Sequence, residues 1–126
     1  MKDNYSRVIL TLNEYKFLKP NWDGYGGVTP KTEVINSTIR AVNILKSNNI
    51  TDMNVMVSGD GDISLFWKSF YNYLEIEFGE DLCGYYSRTT DGDCGEDNVL
   101  INERSLLSII NTYKGIKQWE NLVNTW

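Results

Sequence analysis

The chain predicts an α+β fold: two N-terminal helices, then a three- to four-stranded antiparallel sheet, then a C-terminal helix packed on one sheet face. Three observations carry this. Apolar residues recur at helical spacing in the first third of the chain, alternate from Met53 to about Arg88, and return to helical spacing after Asn102. With 126 residues and no linker-like or repeated stretch, one domain spanning 1–126 with one core is expected.

In the first segment Val8, Leu12, Tyr15 and Leu18 lie about one helical turn apart, with Arg7, Asn13, Glu14 and Lys16 on other faces, which predicts an amphipathic helix ending before Pro20. Residues 20–30 hold three glycines and both prolines of the chain, so they form a turn-rich loop. A second helix follows, with Thr29 as its cap, Pro30 at its first position and Val34, Thr38, Val42 and Leu45 on one face, Ile35 and Ile39 beside them. Ser47-Asn48-Asn49 stops it.

Met53, Val55 and Val57 then alternate with other residues, Gly59-Asp60-Gly61-Asp62 supplies a turn, and Ile63, Leu65 and Trp67 alternate again, the pattern of a hairpin. From Asn72 to Phe78, Leu74, Ile76 and Phe78 fall on one side and Tyr73, Glu75 and Glu77 on the other, as in a sheet with one wet face. A fourth strand from Leu82 to Arg88 is weakened by Gly84, and 89–98 reads as a polar loop. Asn102 caps a third helix carrying Leu106, Ile110 and Tyr113, with Gly115 placed to end or kink it. Ile116, Trp119, Val123 and Trp126 continue an apolar stripe, expected to pack on the core beside the first two helices or to form a homodimer or partner interface.

Trp22-Asp23-Gly24-Tyr25-Gly26, then Thr29-Pro30 opening a helix, a Gly-Asp-Gly turn, Leu65-Phe66-Trp67 and Tyr73-Leu74-Glu75-Ile76-Glu77 together resemble a group of small bacterial and mobile-element proteins. In that group a Trp-Asp-Gly-Tyr-Gly turn joins two helices ahead of a small antiparallel sheet. The likeness spans roughly residues 8–78. It implies an order of elements and no activity.

Composition excludes several classes. The chain has no histidine, so triad hydrolases that rely on an imidazole base are ruled out, and Cys83 and Cys94 without further good ligands do not make a structural zinc site. The two cysteines read as reduced thiols of a cytoplasmic protein, the alternative being a redox-sensitive disulfide. Apolar runs are short, as in Val8-Ile9-Leu10, and neither a membrane span nor a secretory signal is expected. No cofactor is called for. Asp91 to Asp97 concentrates carboxylates but is out of register for an EF-hand, since the sixth position is Glu96 rather than Gly and the twelfth is Asn102 rather than Glu. The aspartates of Gly59-Asp60-Gly61-Asp62 would repel a phosphate. Glu75 and Glu77 share a strand face, but that spacing alone does not establish a glycosidase pair.

Charge says more than any of these motifs. Residues 60–97 carry ten acids against Lys68 and Arg88, a local balance of −8, while the rest of the chain is +3. An acidic sheet half disfavours direct nucleic-acid binding and suits a protein partner with a basic surface. The expected function is therefore a non-catalytic protein-binding module, an acidic inhibitor of antitoxin, immunity or anti-defence type covering a basic surface of a nuclease or nucleic-acid-binding complex. Its expected contact residues are Glu75, Glu77, Glu80, Asp81, Asp91 and Asp93, with Tyr73, Tyr85 and Tyr86 as aromatic anchors. Trp22, Asp23 and Tyr25 form a possible second surface; their structural reading is a helix clamp with Asp23 in an Asx-type turn and the glycines at positive φ. The competing class is a small-molecule-binding protein, or an enzyme using carboxylates or Cys83.

Overall fold

The computed structural model describes residues 3–113. Helix α1 (Asn4–Glu14) runs into a short 3-10 turn, Tyr15–Phe17, and a loop leads to α2 (Thr32–Ser47). Strands β1 (Asn54–Val57), β2 (Ile63–Lys68), β3 (Tyr73–Phe78), β4 (Leu82–Thr89) and β5 (Gly92–Leu100) follow, then α3 (Glu103–Asn111). All five strands are antiparallel to their neighbours and lie in sequence order. The fold is α+β, as expected from the change of periodicity.

The α1 face is narrower than the sequence suggests. Asp3 caps it by accepting from the Ser6 N–H at 2.7 Å, and Val8 and Leu12 are buried. It ends at Glu14, five residues short of Lys19, and leaves Phe17 in solvent. Asn4 ties the helix to the chain entering β1, donating to the Met53 carbonyl at 2.9 Å and accepting from the Met53 N–H at 3.1 Å.

Helix α2 begins at Thr32 with Lys31 in the cap position, so the expected Thr29 cap with Pro30 as first helical residue is corrected. The reason is tertiary: the Val28 N–H donates to the Gly59 carbonyl at 2.8 Å, which holds residues 28–30 against the β1–β2 turn. The helix stops where expected, in a Schellman motif. Asn49 takes a left-handed φ of 60°, and the N–H groups of Asn49 and Ile50 close onto the carbonyls of Lys46 and Leu45.

One sheet face and the helices enclose the core. Ile63, Leu65 and Trp67 of β2, Leu74, Ile76 and Phe78 of β3, and Cys83 of β4 join Leu12 of α1, Val42 and Leu45 of α2, and Leu106, Ile109 and Ile110 of α3 in one buried cluster. Tyr113 is buried there too, completing the expected face of the third helix. Buried polar side chains are paired. The Ser37 hydroxyl donates to the Glu80 carbonyl, Ser87 donates to the Thr112 carbonyl at 3.2 Å, and the Trp67 indole donates to the Thr51 carbonyl at 2.9 Å.

The largest correction concerns residues 92–100. The expected polar loop is a fifth strand, with only the tight turn at its start behaving as a loop. Nearly every side chain of β5 is exposed, so no apolar alternation marks it; pairing of its backbone with β4 makes it a strand. Gly84 does not break β4 but sits at a register shift, where β5 spends an extra residue and Asn98 takes φ 59°. The stripe of Ile116, Trp119, Val123 and Trp126 lies outside the described residues, as does Gly115.

Candidate functional site

Strand alternation sorts the outward-facing residues into rows across the sheet. The row nearest the β2–β3 turn runs Lys68, Tyr73, Arg88, Asp93. The next runs Asn54, Phe66, Glu75, Tyr86, Gly95. The third runs Met56, Ser64, Glu77, Gly84, with Asp97 beside Gly84 at the bulge: a β-carbon on Gly84 would stand 2.9 Å from the Asp97 carboxylate. The face therefore grades from two cations at one end to clustered carboxylates at the other, with aromatic rings between.

The rings form a diagonal band. Phe66 and Tyr73 have centroids 6.3 Å apart, and Tyr73 and Tyr86 6.4 Å apart. At its open end the β2–β3 turn holds Phe70 and Tyr71, whose rings meet edge to face at 5.0 Å and are mostly in solvent. The phenols lean on neighbouring acids: Tyr73 donates to Glu75 at 2.7 Å and Tyr86 to Asp93 at 3.0 Å. Desolvation first, then the Glu75 hydrogen bond and charge, push the Tyr73 phenol up to about 12. The hydrogen bond to Asp93 raises that of Tyr86. Both phenols are thus neutral hydroxyl donors across the ordinary pH range.

At the acidic end, Glu77 is raised above the usual carboxylate value by desolvation and by the charges of Asp62, Glu75, Asp60 and Asp97. Folding has brought acids from β3, β5 and the β1–β2 turn around one carboxyl. Glu75, Glu77, Gly84, Tyr85, Tyr86 and Asp97 line a shallow depression of about 170 Å³, below the roughly 300 Å³ at which small-molecule pockets begin. Among the described residues no group of acids and cysteines is placed to hold a metal ion, and no helix is long and apolar enough to cross a membrane.

The structure gathers only part of the expected contact set. Tyr73, Glu75, Glu77, Tyr86 and Asp93 share the outer face, and Asp91 lies in the turn at its edge. Glu80 and Asp81 stand in the β3–β4 turn, where Glu80 pairs with Lys31 at 3.0 Å across to the start of α2. Tyr85 alternates to the helix side with Ile76 and packs against the core, so it is not grouped with the other two tyrosines. Phe66 and Asp97 were missed. Phe66 was legible, because it alternates with Leu65 and Trp67; Asp97 was not, because nothing in the sequence marks β5 as a strand.

The Trp22–Gly26 turn is built around Asp23. Its carboxylate accepts from the N–H groups of Tyr25 at 2.9 Å and Gly27 at 2.8 Å, while Asn21 accepts from the Gly26 N–H and Gly24 and Gly26 take positive φ. Gly27 is required by this packing, since a β-carbon there would lie 2.6 Å from the Asp23 carboxylate. The expected helix clamp is corrected: the Trp22 indole donates to the Val28 carbonyl at 2.9 Å, Tyr25 is 93% exposed, and the loop docks on the β1–β2 turn. Asp23 is thus engaged within its own loop.

The two cysteines are free and lie apart on the sheet. Cys83 is opposite Val99 and Cys94 opposite Ser87, four positions further along β4. That separation is roughly 13 Å, beyond the ~7 Å reach of a disulfide. Burial pushes the Cys83 thiol up to about 11, which disfavours the thiolate a nucleophile needs.

The chain matches no protein-family model, no curated protein and no solved structure.

Proposed function

We propose that this protein is a non-catalytic protein-binding module, an acidic inhibitor of antitoxin, immunity or anti-defence type that covers a basic surface of a nuclease or nucleic-acid-binding complex. The observation that carries the reading is the outer sheet face: Glu75, Glu77 and Asp97 converge there beside the rings of Phe66, Tyr73 and Tyr86, with no helix of the described residues over them. The exposed Tyr86 and the half-buried Phe66 and Tyr73 supply contact area and neutral hydroxyls, and clustered carboxylates steer a basic partner and set its orientation. Clustering that raises the Glu77 pKa also gains from a partner, because an incoming cation relieves the repulsion.

The test is association kinetics with a partner captured from the native host and then purified. Reversing Glu75, Glu77 and Asp97 to lysine should slow association by about tenfold or more at low salt and flatten its salt dependence. Unchanged rates and salt slope in that variant, extended to Asp91 and Asp93, overturn the assignment.

One observation favours the competing small-molecule reading. Tyr85, Glu96, Arg104, Ser105 and Ser108 line a cleft of about 360 Å³ between α3 and the β4–β5 edge, large enough for a small ligand but open to solvent. A ligand retained through purification and detected by native mass spectrometry would reverse the ranking.

A further inference from the structure

Among the described residues β5 pairs only with β4, so its other edge presents backbone donors and acceptors over a strand running from Gly92 to Leu100. A free edge of that length is a template for another strand. The opposite edge of the sheet, β1, spans only Asn54–Val57 and carries no acid. On β5 the outward side chains are Asp93, Gly95 and Asp97, with Glu96 on the other face. Gly95 leaves a gap in this row because a β-carbon there would meet the Tyr85 carbonyl at 2.7 Å. Behind that gap stands Tyr86, the cross-strand partner of Gly95, with 41% of its surface exposed.

We infer that the free edge of β5 receives an extended basic segment of the protein partner as an added strand. This rests on the basic-partner reading above and specifies how the partner is held. Backbone pairing supplies affinity that is indifferent to sequence, and alternate side chains supply the specificity. A cation two positions from the central residue falls beside Asp93, and one just past the regular paired stretch meets Asp97 at the bulge. The central side chain crosses Gly95 onto the Tyr86 ring, a place suited to arginine. A second copy of this chain paired antiparallel about Gly95 sets Asp93 of one strand beside Asp97 of the other. Like charges directly opposite are destabilising. The bulge at Asn98 limits the regular paired stretch to its Gly92–Glu96 side.

The probe is a capped peptide of alternating arginine or lysine with valine and threonine, titrated at low salt into the full chain labelled for amide spectroscopy. Two further peptides carry N-methyl groups on alternate backbone amides, one on each edge of the extended peptide. Shift changes and slowed hydrogen exchange should concentrate in β5 rather than β1. One N-methylated peptide should bind about tenfold or more weakly, the other within about twofold of the parent, since an added strand uses one edge only. Asp93→Lys with Asp97→Lys, both exposed positions, should weaken the parent peptide by a similar factor. Equal affinity of all three peptides would show attraction without strand pairing; this inference then falls while the basic-partner reading stands. No peptide binding, binding centred on β1, or self-association through β5 each overturns the inference, and the kinetics with the purified partner judge the broader reading separately.

Discussion

Glu77 is a residue whose surroundings work against the fold. Its pKa is raised above the ordinary value of 4.5 by desolvation and by four neighbouring acids, so the folded state holds its proton more tightly than the unfolded chain does. Its charged form therefore opposes folding at neutral pH, and the penalty fades as pH falls through the folded value and below the unfolded one. Glu77→Gln should stabilise the protein by about 0.5 kcal/mol at pH 7, a figure kept small because the side chain is exposed, and the gain should vanish below about pH 4. Urea denaturation at the two pH values measures this. The cysteines give a second residue-level expectation. Cys94 is exposed and Cys83 buried with its thiol raised to about 11, so a thiol reagent at neutral pH should modify one cysteine in the native state and two in urea. Peptide mapping that placed the native label on Cys83 would contradict the packing of β4.

At the scale of elements, two local devices set where segments end. Asn49 closes α2 in a left-handed conformation that costs a residue with a β-carbon roughly 1–2 kcal/mol, less for asparagine. Asn49→Gly should raise stability by about 0.5 kcal/mol and Asn49→Val should lower it by about 1–2 kcal/mol, both read from denaturation midpoints. The 21–28 loop depends on Asp23, whose carboxylate satisfies two backbone N–H groups, that of Gly27 being buried. Asp23→Ala should cost about 1–3 kcal/mol, with little change in association rate if the outer sheet face is the contact surface. A large loss of partner affinity without loss of stability would instead move the interface to Trp22, Asp23 and Tyr25.

Across the whole molecule, protection should follow depth in the sheet. β2 and β3 pair on both sides and bury alternate residues under the helices, whereas among the described residues β5 pairs on one side, with its side chains in solvent. Native-state hydrogen exchange should be slowest at Leu65, Trp67, Leu74 and Ile76 and much faster along 92–98. The same asymmetry separates stability from recognition. The helix-covered face holds the apolar cluster, while the outer face, over which no helix of the described residues lies, and its acidic edge tolerate charge that the core would not. Substitutions on the outer face should therefore alter partner kinetics more than folding.

The sequence by itself determined the α+β class, the three helices and the first four strands, because their buried faces must repeat at 3.6 or 2 residues to meet one core. Asn49 and Asn102 marked helix ends for equally local reasons, one tolerating left-handed backbone and the other accepting from an N–H with its side chain. Tertiary structure alone decided the remainder. β5 has no buried face, so only backbone pairing with β4 makes it a strand, and that pairing carries Asp93 and Asp97 onto the outer face. The turn acids Asp60 and Asp62 reach Glu77 across strands distant in sequence, and Tyr85 turns away from Tyr73 and Tyr86 because neighbouring residues on a strand face opposite sides. Local periodicity records which side of an element meets the core; which acids meet each other depends on register, and register is a property of paired strands.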